Sequence, residues 1–271
     1  MSHMLTTTGF IGAGKMAEAI IAGLIANQFS VPGDIIASDV SAARLEDLRR
    51  RYGISTTPDN TGVAARASLC VLAVKPQQLD AVLRELAPSL GSAHLLVSIA
   101  AGKTTTHLES LLPAGRVVRV MPNIACLVGA GMNVFTRGTR ATEEDAAVVS
   151  RLLSCCGQAL ELPESLFDAV TALSGSGPAY FAFLLDRLVD GAVREGLSRD
   201  QALRLASQTM AGTARLLMDT AMQPADLATA VTSAKGTTAA GREVLETPEV
   251  AEVLCRTIQA AARRSRELGR A

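Results

Sequence analysis

The chain has 271 residues, enough for one large domain or two ordinary ones. Lys plus Arg and Asp plus Glu both total 26, so no global field draws in nucleic acid or another polyanion. Apolar residues make up 48% and can build substantial cores, but aromatics reach only 3% with no Trp, which argues against an aromatic platform for bases or sugars.

The five cysteines, Cys70, Cys126, Cys155, Cys156 and Cys255, form no metal-ligand spacing and no disulfide framework. They read as small hydrophobes, Cys155 and Cys156 within an apolar helical run. No signal peptide is read and no apolar run reaches bilayer length, so the expected compartment is the reducing cytosol, without a membrane partner. Ser2-His3-Met4 reads as an expression-vector remnant, which leaves His94 and His107 as the native histidines.

In the first half, strand-like runs at Thr8–Ile11, Ile35–Ser38, Leu69–Val74, His94–Ile99 and Val117–Met121 alternate with helical runs at Met16–Ala26, Ala42–Tyr52, Gln78–Leu86 and Thr105–Leu112. Met132–Phe135 and Ala159–Leu162 are weaker strand candidates. Alternating β and α predicts a doubly wound, mostly parallel sheet of the Rossmann kind over residues 5–163.

The first strand runs from Thr8 to Ile11 straight into Gly12-Ala13-Gly14-Lys15-Met16-Ala17, a G-x-G-x-x-A dinucleotide fingerprint that opens a helix. Gly12 makes the turn, Gly14 admits the pyrophosphate, and Ala17 lets helix and strand pack closely. The second strand ends at Ser38-Asp39, where the adenosine ribose belongs. Asp39 favours a free 2′-hydroxyl and NAD, whereas Ser38 is a neutral donor suited to a 2′-phosphate, so NAD and NADP both stay open. Asp39 also suits solvent or a helix cap. The third strand ends at Ala73-Val74-Lys75-Pro76, which places Lys75 at the carboxyl edge where such sheets bind ligands. The fourth ends at Ser98-Ile99-Ala100-Ala101-Gly102, a small-residue turn suited to a nicotinamide.

Beyond Leu162 the strands stop, and residues 164–271 read as all-α. Glu164 to Leu173 reads as one short helix. Ser174-Gly175-Ser176-Gly177 then interrupts the pattern, and Pro178 restarts it at a first helical position. Small residues here leave N–H groups bare at the positive end of a helix dipole, which suits an anion. A plain helix–helix corner is the alternative. Ser198-Arg199-Asp200-Gln201 is a capping box, and Thr247-Pro248-Glu249 starts the last helix. Arg263, Arg264, Arg266 and Arg270 read as its solvated basic end. The helices from Phe181 to Val193 and from Leu203 to Leu217 are apolar nearly all round, which predicts burial against a second subunit. A second small-residue helix start lies at Val231-Thr232-Ser233-Ala234-Lys235-Gly236-Thr237-Thr238. Two such starts could serve one small anion, a carboxylate being the simplest; ordinary Ser and Thr capping is the alternative.

No His stands like a dehydrogenase proton shuttle, and no nucleophile has an adjacent base. Reducing a carbonyl leaves an alkoxide that needs an acid, whereas a protonated imine yields a neutral amine. A nicotinamide site, a carboxylate socket and no strong acid suggest imine reduction on an amino-acid-like small molecule.

Over essentially its whole length the chain resembles the pyrroline-5-carboxylate reductases. The matching segments are Gly9 to Met16, Ala73 to Pro76, Ser98 to Gly102, Met121-Pro122-Asn123, Ala172 to Tyr180, and Val231-Thr232-Ser233 with Gly236-Thr237-Thr238. The resemblance implies NAD(P)H-dependent reduction of 1-pyrroline-5-carboxylate to L-proline, a helical domain that interleaves with its twin, and dimers that often assemble into decamers. It implies that Ile11 to Met16 hold the pyrophosphate and that Ser38 and Asn60 meet the adenosine ribose or its phosphate, which tilts the cofactor to NADPH. Ala73 to Pro76 and Ile99, Ala100 and Ala101 would line the nicotinamide half. Ser174 to Gly177, Ser233 and Gly236 to Thr238 would hold the substrate carboxylate, with the Thr238 hydroxyl near the ring nitrogen.

Two departures stand out. The family's Ser-Pro-Gly-Gly-Thr-Thr is here Ser233-Ala234-Lys235-Gly236-Thr237-Thr238, where Lys235 either adds a cation beside the carboxylate or forbids a left-handed φ. The family's Pro-Asn-Thr-Pro is here Pro122-Asn123-Ile124-Ala125. Both leave room for a paralogue acting on another cyclic imino acid, or for a non-catalytic NADP-binding regulator. A β-hydroxy-acid reductase would want a Lys early in the second domain, and Pro178 to Ala192 contains none.

Overall fold

A computed structural model describes residues 7–270; Ser2-His3-Met4 lies outside them. The chain divides into two compact units, one running to Gly175 and taking in the residues from Ala261 on, the other spanning Ser176–Ala260.

The first unit is built on an eight-stranded sheet. Its strands are β1 (Thr8–Ile11), β2 (Ile35–Ser38), β3 (Ser55–Thr57), β4 (Leu69–Leu72), β5 (Leu95–Ser98), β6 (Arg116–Met121), β7 (Gly131–Arg137) and β8 (Gly157–Glu161). Their order is β3-β2-β1-β4-β5-β6-β7-β8. The helices of this unit are α1 (Lys15–Ala26), α2 (Ala42–Tyr52), α3 (Asn60–Arg66), α4 (Pro76–Leu86), α5 (Thr105–Leu111), α6 (Glu143–Ser154) and α7 (Phe167–Val170). Strands β1, β2, β4 and β5 are buried along their whole length, as strands covered on both faces must be. One core cluster centres on Phe10, Ile20, Leu24 and Val97, the other on Ile11, Leu79, Leu83 and Leu96.

The pairing is parallel except between β6 and β7. These two are joined by a short 3₁₀ turn at Ile124–Val128. Parallel pairing needs a crossover, and this link is too short to supply one. Helix α6 does supply one between β7 and β8, which pair in parallel. Within this unit β3 and α3 carry no pattern that marks them in the sequence, and the apolar helical run at Cys155 and Cys156 is the end of α6 with its cap. The two weaker strand candidates are β7 and β8.

Glu164 to Leu173 is not one uniform helix. A 3₁₀ turn at Glu164–Leu166 leads into α7 and then into a π turn at Thr171–Gly175. Glu164 anchors this entry: its carboxylate accepts from the Thr105 N–H and hydroxyl and from Arg119 at 2.8 Å. Burial alone would raise the Glu164 carboxyl, but the Thr105 and Arg119 contacts outweigh it and hold it below its ordinary value. The buried Arg119 guanidinium also lies over the Phe167 ring, 4.6 Å from its centroid.

The second unit is helical: α8 (Gly177–Arg194), α9 (Arg199–Thr220), α10 (Pro224–Ala230), α11 (Thr237–Leu245) and most of α12 (Pro248–Arg270). The capping box at Ser198 forms as expected. Arg199 bridges back to Asp186 and to Asp190 at 2.8 Å, closing the α8–α9 hairpin. Within this chain Phe181, Phe183, Leu188 and Met218 are each more than half exposed. A surface that apolar calls for a partner. No described helix is long and apolar enough to cross a membrane. All five cysteines are free; Cys70, Cys126 and Cys156 are buried, and burial pushes the Cys70 thiol up to about 12.

Candidate active site

The fingerprint loop lies between the carboxyl ends of β2 and β4. The Gly12 N–H donates to the Ser38 carbonyl at 2.9 Å, and the Ala73 N–H donates to the Ile11 carbonyl at 2.8 Å. Gly12 has φ +91, and a Cβ there would come within 2.8 Å of the Ala73 carbonyl. Only glycine fits such a turn. Gly14 is the opposite case: a Cβ there would meet nothing within 4 Å. It caps α1 without any side-chain hydrogen bond, so bare N–H groups of the helix start face open space. That cradle fits the pyrophosphate of a dinucleotide. Ala17 is fully buried, as close packing of helix on strand requires.

The Ala13 peptide is clamped from both sides. Its N–H donates to Asp39 Oδ2 at 2.8 Å, and its carbonyl accepts from Arg44 Nε at 2.6 Å. Arg44 also pairs with Glu18 and, at 3.2 Å, with Asp47. Desolvation would raise Glu18, yet its bonds to Arg44 and Tyr52 hold it below its ordinary value. Ser38 is fully buried, and its hydroxyl donates to Asn60 Oδ1 at 2.7 Å. The structure joins Ser38 to Asn60, and of the two it is Asn60 that reaches the surface.

Ala73 to Pro76 and Ile99 to Ala101 converge, with Met16, on one cleft of about 320 Å³. Met121 and Pro122 complete it. Lys75 caps α4, with Pro76 in its first turn. Gly102 follows in the left-handed region at φ +76. Neither His94 nor His107 lines this cleft. His94 is held by the Gly91 N–H and the Ala64 carbonyl, and His107 by Asp80 at 2.9 Å.

The Ser174 segment abuts the same cleft. A Cβ on Gly175 would come within 2.5 Å of Met121 Cε, so glycine lets the π turn approach the cleft wall. Asn123 Nδ2 donates to the Ser174 carbonyl at 3.3 Å and its hydroxyl at 3.4 Å. Its Oδ1 accepts from the Ala125 and Met132 N–H groups, both at 3.2 Å. Asn123 thus ties the turn after β6 to the Ser174 turn. The expected break in the helix is a change of winding instead. Ser176 keeps helical angles, φ −88 and ψ −21, and α8 follows at once with Pro178 in its first turn. A π turn is wider than an α turn and alters its hydrogen-bond pattern, a feature common at functional sites.

In the second unit, Gly236 caps α11 with no side-chain hydrogen bond, leaving the N–H groups of Thr237 and Thr238 at an uncapped start. The Gly236 N–H closes a turn onto the Ser233 carbonyl at 3.0 Å. Lys235 sits in that turn at φ +60. Of the two effects expected of Lys235, a forbidden left-handed backbone is therefore set aside, because the loop keeps that geometry. Arg242 pins the loop through the Thr232 hydroxyl at 3.0 Å.

Sequence reasoning missed Arg44, Met121, Pro122 and Asn123 as site residues. Met121-Pro122-Asn123 was the one signal on hand, as a segment matched in the family.

Comparison with known proteins follows the same two-part layout. Residues 164–268 match the family model described as pyrroline-5-carboxylate reductase dimerisation, and residues 7–102 match NADP oxidoreductase, coenzyme F420-dependent. A pyrroline-5-carboxylate reductase of Methanosarcina acetivorans is 43% identical, covering 97% of both chains. One from Arabidopsis thaliana is 41% identical, covering 96% of this chain and 94% of its own. The solved pyrroline-5-carboxylate reductase of Coxiella burnetii superposes with a TM-score of 0.93 at 34% identity, covering 97% of this chain and 98% of its own. That of Plasmodium falciparum, with NADP bound, gives 0.85 at 28% identity and the same coverage.

Proposed function

This chain belongs to the pyrroline-5-carboxylate reductase family, and from that premise we propose that it reduces 1-pyrroline-5-carboxylate to L-proline with NADPH, NADH being a possible substitute. The observation that carries the reading is local to the first unit. The cleft lined by Ala73 to Pro76 and Ile99 to Ala101 shares the wall residue Met121 with the Ser174–Gly175 turn. A ring held at that turn would lie next to a nicotinamide in the cleft.

Bound NADPH supplies a hydride to the imine carbon. The residues of the chain do the rest. Ile11 to Met16 take the pyrophosphate, with Gly14 leaving the space for it. Asn60, held by the buried Ser38, serves the adenosine ribose. Ala73 to Pro76 and Ile99 to Ala101 exclude water from the transferring face. Ser174 to Gly177 on one segment, and Ser233 with Gly236 to Thr238 on another, supply the bare N–H groups and hydroxyls that we assign to the substrate carboxylate. The Thr238 hydroxyl hydrogen-bonds the ring nitrogen, which is a cation before hydride transfer and a neutral amine afterwards. No strong acid is needed, since the imine is protonated from solution.

The region from residue 164 on is read as the substrate-binding and dimerising part, in keeping with its match to a dimerisation domain. Pairing through its exposed apolar helices, assembly to a decamer and a cytoplasmic location complete the proposal. A second reading, another cyclic imino acid as substrate, rests on Lys235 and Ile124, which depart from the family pattern. The test is NADPH oxidation with pyrroline-5-carboxylate and a small panel of cyclic imino acids. Proline formed in step with NADPH consumed supports the proposal. Folded protein that binds NADPH but turns over only another ring, or none, refutes it.

A further inference from the structure

Helix α12 runs from Pro248 to Arg270, and its last turns belong to the first unit, which takes in the residues from Ala261 on. Two contacts hold them there. The Ser265 hydroxyl donates to Asp168 Oδ1 at 2.7 Å, which fastens α12 to α7. Further along, backbone meets backbone at two glycines. A Cβ on Gly102 would lie 3.8 Å from the Leu268 carbonyl oxygen, and one on Gly269 would lie 3.7 Å from the Gly102 carbonyl oxygen. Gly102 ends the turn whose residues Ile99, Ala100 and Ala101 line the cofactor cleft. That turn is pinned at both ends. The Ile99 N–H donates to the Leu72 carbonyl at 3.1 Å, and the Lys103 ammonium pairs with Asp80 of α4 at 3.2 Å. Between the pins the Ala100 N–H reaches the Ser98 hydroxyl at a long 3.4 Å, a weak restraint. Where Ala100 and Ala101 sit therefore depends on what backs Gly102, and the end of α12 backs it.

We propose that the end of α12 sets the nicotinamide wall of the cleft: Leu268 and Gly269 back the turn at Gly102, and Ser265 holds them in place through Asp168. Ser265 and Gly269 are positioning residues. Neither lines the cleft, and each acts through Ala100 and Ala101. Asp168 lies in α7, which runs directly into the π turn at Thr171–Gly175, so one helix end is tied to both turns beside the cleft. The proposal rests on the reading of that cleft as the nicotinamide site and not on the identity of the imine.

The experiment is calorimetric titration of the full chain with NADPH and with 2′-phospho-ADP-ribose, the same nucleotide without its nicotinamide. The variant is Gly269→Ile. Isoleucine is a better helix former than glycine, so the urea midpoint should hold or rise. Its stiff, branched side chain crowds the Gly102 carbonyl and displaces Ala100 and Ala101. NADPH binding should weaken about tenfold while binding of the fragment stays within about twofold. Gly269→Ala, whose Cβ lies at an ordinary 3.7 Å, should give a much smaller change. A ratio of the two constants that changes by less than about threefold in Gly269→Ile overturns the proposal. Equal weakening of both ligands is one such outcome, and it is what general damage to the fold would give. Should Gly269→Ile not fold, Ser265→Ala decides the matter. Loss of the Asp168 anchor should weaken NADPH about threefold and spare the fragment, and Ser265→Thr, which keeps the hydroxyl, should restore binding. An unaltered ratio in Ser265→Ala overturns the proposal. Unaltered protein that binds no NADPH refutes the cofactor reading itself and the proposal with it. NADPH binding by the unaltered protein with no loss in the variants overturns the proposal alone.

Discussion

Replacing Asn123 tests whether the Ser174 turn is held where the chemistry needs it. Its side chain makes four hydrogen bonds, at 3.2, 3.2, 3.3 and 3.4 Å. These are long, so each contributes at the low end of the usual range, and Asn123→Ala should lose about 2–3 kcal/mol of stability. Asn123→Asp separates the two halves of the residue. It keeps the acceptor for the Ala125 and Met132 N–H groups but loses the donor to Ser174. It also sets a carboxylate against the Ser174 carbonyl and beside the proposed carboxylate site. Urea unfolding should therefore show a smaller loss for Asp than for Ala, about 1–2 kcal/mol. Steady-state kinetics should show the reverse order. KM for pyrroline-5-carboxylate should rise about tenfold in Ala, equivalent to about 1.4 kcal/mol, and further in Asp. An Asp variant with unaltered KM would show that Asn123 merely holds the β6–β7 link and that Ser174 has no part in binding substrate.

Gly12 and Gly14 should part company. Gly12→Ala puts a side chain at φ +91 and 2.8 Å from a carbonyl, so thermal unfolding should show a loss of about 2–5 kcal/mol along with lost NADPH binding. Gly14→Ala meets nothing within 4 Å, so stability should change by less than about 1 kcal/mol while NADPH titration shows binding weakened at least tenfold, on the order of 1.4 kcal/mol. Glu164 has a folded pKa below its ordinary 4.5, so its stabilising contribution is complete above that value and is lost as pH falls through the folded one. Glu164→Gln should cost about 1–3 kcal/mol at neutral pH and flatten the decline in stability below pH 4.5 seen in urea midpoints. Lys235→Gly relieves a left-handed backbone but frees the unfolded chain, for a net gain of no more than about 1 kcal/mol. Loss of its ammonium should raise KM for the imino acid about threefold with kcat unchanged, since it acts on binding alone.

What was legible in the sequence was local. β1, β2 and the Gly12–Ala17 loop are contiguous, and their meaning lies in strand, tight turn and small residues in a row. Helix α6 shows in the sequence only as the apolar helical run at Cys155 and Cys156, while its start lies in the capping box of Thr142 and Asp145, where three acidic residues precede the apolar positions. β3 is three half-buried polar residues at the sheet edge and carries no periodic signal. The π turn reads as a break because Ser and Gly suit a break equally well. Arg44 and Asn123 reach partners 31 and 51 residues away, a pairing only the tertiary fold creates. The open space before Gly14 and the buried Ser38 hydroxyl are likewise products of packing.

If bare N–H groups read the carboxylate of a cyclic imine, a ring without that group should be a poor substrate. Turnover of 1-pyrroline, the same ring without the carboxylate, is to be compared with turnover of 1-pyrroline-5-carboxylate under identical NADPH. Two charge-assisted hydrogen bonds stabilise by about 3–6 kcal/mol, so kcat/KM should fall by at least about a hundredfold for the bare ring. Comparable kcat/KM for the two rings would show that these N–H groups do not read the carboxylate.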